Sequence, residues 1–157
     1  MNPDFTDLID VLLEHDVRFL VVGGIALAAH GMPRATGDLD VWVLPSPENA
    51  DRVYAALTAF GAPLDDLDVA AEDFGTTGLT VQFGVPPRRI DVLTAVSGLE
   101  FGAAWERRLQ THVFGREVAF LSLDDMLHNK QILGRDKDIG DVRTIRRELA
   151  RRRDEPR

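Results

Sequence analysis

The sequence predicts an α+β domain: a mixed, twisted sheet of four to five strands with flanking helices, the helices mainly on one face and a set of carboxylates on the other. Three observations predict it. Short apolar or alternating runs of strand length occur at residues 17–22, 38–44, 79–83 and 89–93. The segments around them carry apolar residues at helical spacing behind capping residues. Gly115-Arg116 separates residues 110–114 from 117–121 with the spacing of a hairpin.

Each element has its own signal. Asn2-Pro3-Asp4 combines an N-cap, a proline at the first helical position and an acid in the first turn; Phe5, Leu8, Ile9, Leu12 and Leu13 then make one apolar face. Residues 17–22 form the first strand and end in Gly23-Gly24, after which residues 25–30 read as a short helix stopped by Gly31 and Pro33. Residues 38–44 form the second strand, closed by Pro45-Ser46-Pro47. Ser46 caps a helix whose buried stripe is Val53, Leu57 and Phe60, with Gly61 as its stop. Residues 62–78 are acidic without a firm period and read as loop with a short helix near 69–74. In the third strand Val81 and Phe83 face one way and Thr80 and Gln82 the other. A short helix follows around Phe101 and Trp105, then the hairpin. Ser122 starts a helix that runs to about Leu133 and Gly134, and Ile139, Val142, Ile145 and Leu149 lie on one side of the last.

At 157 residues the expectation is one domain over 1–157, with an Arg-rich C-terminal helix and tail at about 137–157. The net charge of −8 argues against a surface that coats nucleic acid, which needs many Lys and Arg contacts to phosphate. Arg143, Arg146, Arg147, Arg151, Arg152 and Arg153 nevertheless crowd the last helix; a solvated face is the plainer reading and a local anion patch the sharper one. With no cysteine, disulfides and thiolate metal sites are excluded. The N-terminus lacks a signal-peptide pattern and no apolar run is long enough to span a bilayer, so the expectation is a cytoplasmic protein with no membrane partner.

The chemistry gathers at Asp38, Asp40 and Asp91. Side chains alternate along a strand, so Asp38 and Asp40 share one face, and two such anions raise each other's pKa unless a cation lies near. If the 89–93 strand lies beside the 38–44 strand, Asp91 joins them. Three carboxylates on two strands suit oxygen-seeking Mg²⁺ (or Mn²⁺), and two ions roughly 3.5 to 4 Å apart would clamp an in-line phosphoryl displacement. Gly23 and Gly24, lacking Cβ atoms, let backbone approach a triphosphate. An aspartyl-phosphate phosphatase would want an apolar strand leading into the first Asp, whereas Arg34-Ala35-Thr36-Gly37 precedes Asp38. A dinucleotide fingerprint would need glycines at positions one, three and six, which the residues after Gly23 do not supply.

A glycine pair after a strand, a short helix, Asp-x-Asp on the next strand and a later third Asp together resemble the first motif of the DNA polymerase beta-like nucleotidyltransferase superfamily. Gly23-Gly24-Ile25-Ala26, His30 through Thr36 and Gly37-Asp38-Leu39-Asp40 are similar to small bacterial nucleotidyltransferase-like proteins related to abortive-infection and toxin-antitoxin enzymes. Lys130, Arg135, Lys137-Asp138 and Asp141 resemble the last motif of that group, and the likeness spans about residues 18–145. It implies metal-dependent transfer of a nucleoside monophosphate from a nucleoside triphosphate to a hydroxyl on a protein, a tRNA or a small molecule. Asp38 and Asp40 would hold both metals, and Asp91 would bind the catalytic metal and help take the acceptor's proton. Gly23 and Gly24 would cradle phosphate, with Arg34, Thr36 and Lys130 as further nucleotide-binding residues.

Many members place Ser or Thr directly after the glycine, where this chain has Gly24 and Ile25. That departure supports the alternative of a noncatalytic binding protein on the same fold, such as a toxin-antitoxin component with a cognate protein partner. Plainer readings stand beside the functional ones: surface carboxylates, a simple strand-to-helix turn at the glycines, Arg34 pairing with nearby acids, a capping or packing His30, and Lys130 in solvent. Trp42 and Trp105 read as core, and Asp138 and Asp141 as structural partners of nearby arginines.

Overall fold

Asn2 caps the first helix, its side chain accepting from the Asp4 N–H at 2.8 Å, and Pro3 takes the first helical position. The structure is a computed structural model that describes residues 2–32, 37–113 and 115–156. In α1 (Pro3–Glu14) Phe5, Leu8, Ile9 and Leu12 of the predicted face are buried, each side chain contributing up to about 1.5 to 3 kcal/mol, whereas Leu13, at the edge of that face, is exposed. β1 (Phe19–Val22) is buried at all four positions, and α2 (Gly23–Ala29) follows with no intervening loop. In β2 (Asp38–Val43) Leu39 and Val41 are buried while Asp38 and Asp40 are half-buried, the alternation expected of a strand.

Ser46 caps α3 (Pro47–Phe60), and Gly61 ends it in the left-handed region at φ +94°. Residues Ala71–Gly75 form a 3₁₀ turn where a short helix was expected. β3 (Thr80–Phe83), β4 (Arg89–Leu93), α4 (Phe101–Glu106), β5 (Leu109–Val113), β6 (Arg116–Phe120), α5 (Leu123–Leu133) and α6 (Asp136–Arg153) complete the order. Among the described residues six strands make one sheet in the order β3-β4-β2-β1-β6-β5. Both hairpin strands join it, β6 lying parallel to β1, which takes the count beyond the expected four to five. β2 runs antiparallel to β1 and parallel to β4, so the sheet is mixed.

Asn49 ties the start of β1 to the end of β2. Its side chain is 2% exposed, accepts from the Arg18 N–H at 2.8 Å and donates to the carbonyls of Arg18 and Leu44 at 3.1 and 2.9 Å. Trp42 is buried and meets Phe101 edge-on at 5.0 Å. Trp105 is only half-buried; it stacks on Phe101 and lies beneath the guanidinium groups of Arg18 and Arg108. Among the described residues no helix is long and apolar enough to cross a membrane.

Candidate active site

The parallel pairing of β2 and β4 sets the site. Its register places Asp38 opposite Arg89 and Asp40 opposite Asp91, so the expected neighbour relation of the two strands holds. Alternation then puts Asp38, Asp40, Arg89 and Asp91 on one face, where all four line a cleft of about 420 Å³. Arg89 Nη2 donates to Asp38 Oδ2 at 2.6 Å, and its Nε lies 3.6 Å from Asp91 Oδ1. Asp91 Oδ1 and Arg89 Nε are both buried without a hydrogen-bond partner among the described residues.

Asp40 carries the electrostatic strain of this arrangement. Burial pushes its carboxyl up to about 7, helped by the negative charge of Asp91, a hydrogen bond shared with Asp91 and the charge of Asp38, with Arg89 opposing. Gly23 stands directly against it. At φ +71° this residue occupies the left-handed region, and a Cβ there would overlap Asp40 Oδ2. A glycine at the end of β1 is thus required twice, by backbone conformation and by the Asp40 side chain.

The opposite wall comes from α5 and the start of α6: Met126, Asn129, Lys130 and Leu133, with Arg135 and Lys137. Helical cover therefore reaches the carboxylate side of the sheet as well. Lys130 lines the cleft but is not in open solvent; its side chain is 14% exposed, and Nζ donates to Asp141 Oδ2 at 2.8 Å and lies 3.6 Å from Asp138 Oδ1. Asp138 is 1% exposed and bonded by Arg135 Nε at 2.6 Å, which holds its carboxyl below the usual carboxylate range. Asp138 pairs with an arginine as expected, whereas Asp141 bonds Lys130, which lies near Asp138 as well.

His30 packs as expected: Nε2 donates to the Leu121 carbonyl at 2.8 Å, and burial lowers its pKa. Arg152 Nη2 donates to the His30 carbonyl at 2.7 Å, fastening the far end of α6 to the end of α2. Arg34 and Thr36 lie outside the described residues. The residue that sequence reasoning passed over is Arg89, although its signal was present: two positions before Asp91 on a predicted strand, it must share that carboxylate's face.

Residues 2–155 match the model of a family described as nucleotidyl transferase of unknown function (DUF2204). The chain belongs to that family. A crystal structure described as a "putative nucleotidyltransferase" from Thermotoga maritima is similar to this DUF2204 chain over 94% of its length and 91% of the other, with a TM-score of 0.56 and 14% identity. At that identity the likeness is one of fold, and it agrees with a nucleotidyltransferase-like architecture related to the polymerase beta superfamily. No curated protein matches the chain.

The fold family implies a divalent cation, and the DUF2204 cleft meets that expectation in part. Asp40 and Asp91 lie side by side on hydrogen-bonded strands, Asp91 Oδ1 lacks a hydrogen-bond partner among the described residues, and the donors are hard oxygens. Among the described residues no group of three or more His, Cys, Asp or Glu is arranged around a common metal position. Asp38, the third carboxylate, is engaged by Arg89.

Proposed function

We propose that this protein is a metal-dependent nucleotidyltransferase that moves a nucleoside monophosphate from a nucleoside triphosphate to a hydroxyl acceptor. The observation that carries the reading is the Asp40 and Asp91 pair held side by side in the cleft with Gly23 packed against Asp40. Asp38, Asp40 and Asp91 are the residues to hold Mg²⁺ or Mn²⁺, which when bound would neutralise the carboxylates and polarise the phosphate oxygens. Gly23 and Gly24 offer close backbone approach to the triphosphate. Lys130 and Lys137 line the same cleft and would offer positive charge to the phosphates, Lys130 by sharing its charge with Asp138 and Asp141, with Arg34 and Thr36 as further nucleotide-binding residues.

In the reaction the acceptor oxygen forms a bond to the α-phosphorus, the bond from that phosphorus to the pyrophosphate oxygen breaks, and the acceptor's proton passes to Asp91. Positioning and electrostatics supply most of the rate. A protein side chain, a tRNA end and a small molecule such as an antibiotic are the acceptor classes considered, and the chain acts as one domain in the cytoplasm. Incubation with each labelled triphosphate and Mg²⁺ or Mn²⁺, against an Asp38→Ala control, tests the proposal. Label transfer that depends on metal and on Asp38 supports it; no transfer to any acceptor together with no nucleotide binding by calorimetry overturns it.

A second reading, a noncatalytic binding protein such as one half of a toxin-antitoxin pair, is favoured by two observations. No hydroxyl follows the glycine pair, and Asp38 is engaged by Arg89. Nucleotide binding without transfer, together with a small protein partner encoded by the adjacent gene, supports this reading over the first.

A further inference from the structure

We infer that Arg89 is a built-in counter-ion of the carboxylate site, which holds Asp38 and Asp91 while the cleft is free of metal and gives up that place when a divalent cation binds. The inference rests on the metal-dependent reading above and names how that site is regulated.

Register and alternation bring Arg89 to the carboxylate face from two directions at once, since it is opposite Asp38 across the strand pair and two residues from Asp91 along its own strand. Its guanidinium makes one good bond, Nη2 to Asp38 Oδ2 at 2.6 Å. Toward Asp91 it offers charge without a hydrogen bond: Nε is 3.6 Å from Oδ1, and both atoms are buried and lack a hydrogen-bond partner among the described residues. A buried donor and acceptor left short of bonding distance forgo most of what a charge-assisted pair can contribute. The pairing balances charge but does not satisfy these atoms.

A cation held by Asp40 and Asp91 would bring a second positive charge to a carboxylate that the guanidinium already faces at 3.6 Å, so the two would compete for it. Arg89 can leave because its side chain is 33% exposed. Its withdrawal also gives up the 2.6 Å bond to Asp38 Oδ2.

The test is a Mn²⁺ titration of the full chain without nucleotide, read by the electron paramagnetic resonance of free Mn²⁺, at about pH 8.5 so that protons do not compete for the carboxylates. Wild type, Arg89→Met, Arg89→Lys and Asp40→Asn are compared. Arg89→Met is expected to bind Mn²⁺ about tenfold or more tightly than wild type, Arg89→Lys to stay near wild type, and Asp40→Asn to lose the site. Equal or weaker binding by Arg89→Met, in a wild type that binds, overturns the counter-ion and leaves the transfer reading standing; no binding by either overturns the counter-ion too, while the labelled-triphosphate assay decides the transfer reading separately. Should Arg89→Met fail to fold, the Nε–Hε resonance of Arg89 in the wild type decides: it shifts on saturation with Mg²⁺ if the guanidinium is displaced, and an unmoved resonance refutes the displacement.

Discussion

Replacing Asp40 with Asn should stabilise the metal-free protein at neutral pH, by an amount that grows with pH. In the fold the Asp40 carboxyl is pushed from 3.8 up to about 7, chiefly by burial and then by Asp91. A folded-state pKa above the unfolded one means that the folded protein holds the proton more tightly. The contribution of Asp40 to stability is therefore most favourable below about pH 4, falls as pH rises toward 7, and levels off above it. At full value the gap corresponds to about 4 kcal/mol. Because Asp40 is partly exposed to solvent, about 2 to 3 kcal/mol is the figure to expect. Asn keeps the shape of the side chain, removes the charge and can still donate to Asp91.

The assay is urea denaturation with chelator present, followed by the fluorescence of Trp42 and Trp105, for wild type and Asp40→Asn between about pH 5 and 8.5. His30 has a lowered pKa and contributes a slope of the opposite sign, since stability then rises with pH as the unfolded imidazole loses its proton. That slope is common to both proteins and cancels in their difference. The difference should be about 1 kcal/mol at the acid end, where the unfolded carboxyl is already largely ionised, and reach about 2 to 3 kcal/mol in favour of Asp40→Asn at the alkaline end. Saturating Mg²⁺ should then raise the stability of the wild type at alkaline pH and leave Asp40→Asn nearly unmoved. A difference that is flat with pH, or one that moves toward the wild type, refutes the claim that Asp40 is held at an electrostatic cost.

Three further outcomes follow from particular contacts. Gly23→Ala combines a left-handed φ of +71° with a Cβ that overlaps Asp40 Oδ2; it should lose about 2 kcal/mol in a urea melt and weaken nucleotide binding by more than tenfold in calorimetry. Asp138→Asn removes the buried charge that faces Arg135 and Lys130, and should cost about 2 to 4 kcal/mol at neutral pH; because its carboxyl is held below the usual range, that loss should shrink as the wild type is taken to acid pH. Asn49→Ala leaves the Arg18 N–H without its partner and takes one of two donors from each of the Arg18 and Leu44 carbonyls, which keep the N–H groups of Leu44 and Ser46, so a drop of about 1 to 2 kcal/mol in the same melt is expected.

The elements that could be read in advance are those whose neighbours demand a strict pattern. α1 and α3 show their buried stripes and caps because one face of each meets the core and the other meets water. β1 reads as a plain apolar run because it pairs on both sides. The hairpin is visible from Gly115, but its place beside β1 is a long-range pairing of Val21 with Phe120 that no local period announces. Residues 62–78 hold one short 3₁₀ turn, and their weak pattern reflects how little of them faces the core: Leu64 and Phe74 are buried, while most of the rest is exposed or half-buried.

Lys130 and Arg89 divide the candidate site by the same logic. Lys130 stands on α5, and its partners Asp138 and Asp141 stand on α6, so the pairing depends on how two helices meet, which the spacing within either helix leaves open. A cationic side chain read toward phosphate is thereby already balanced by two carboxylates of its own chain, and any phosphate would have to compete with them or share the lysine. Arg89 is the reverse case. Its partner Asp91 is two residues away on one strand, and the alternation that groups Asp38 with Asp40 groups Arg89 with Asp91 without any tertiary information. Applied to both strands, the rule yields three carboxylates and one guanidinium on a single face rather than three bare carboxylates. Only the parallel register, Asp38 with Arg89 and Asp40 with Asp91, was beyond it, and that register sets Arg89 opposite Asp38, to which it donates at 2.6 Å, while its Nε stays 3.6 Å from Asp91 Oδ1.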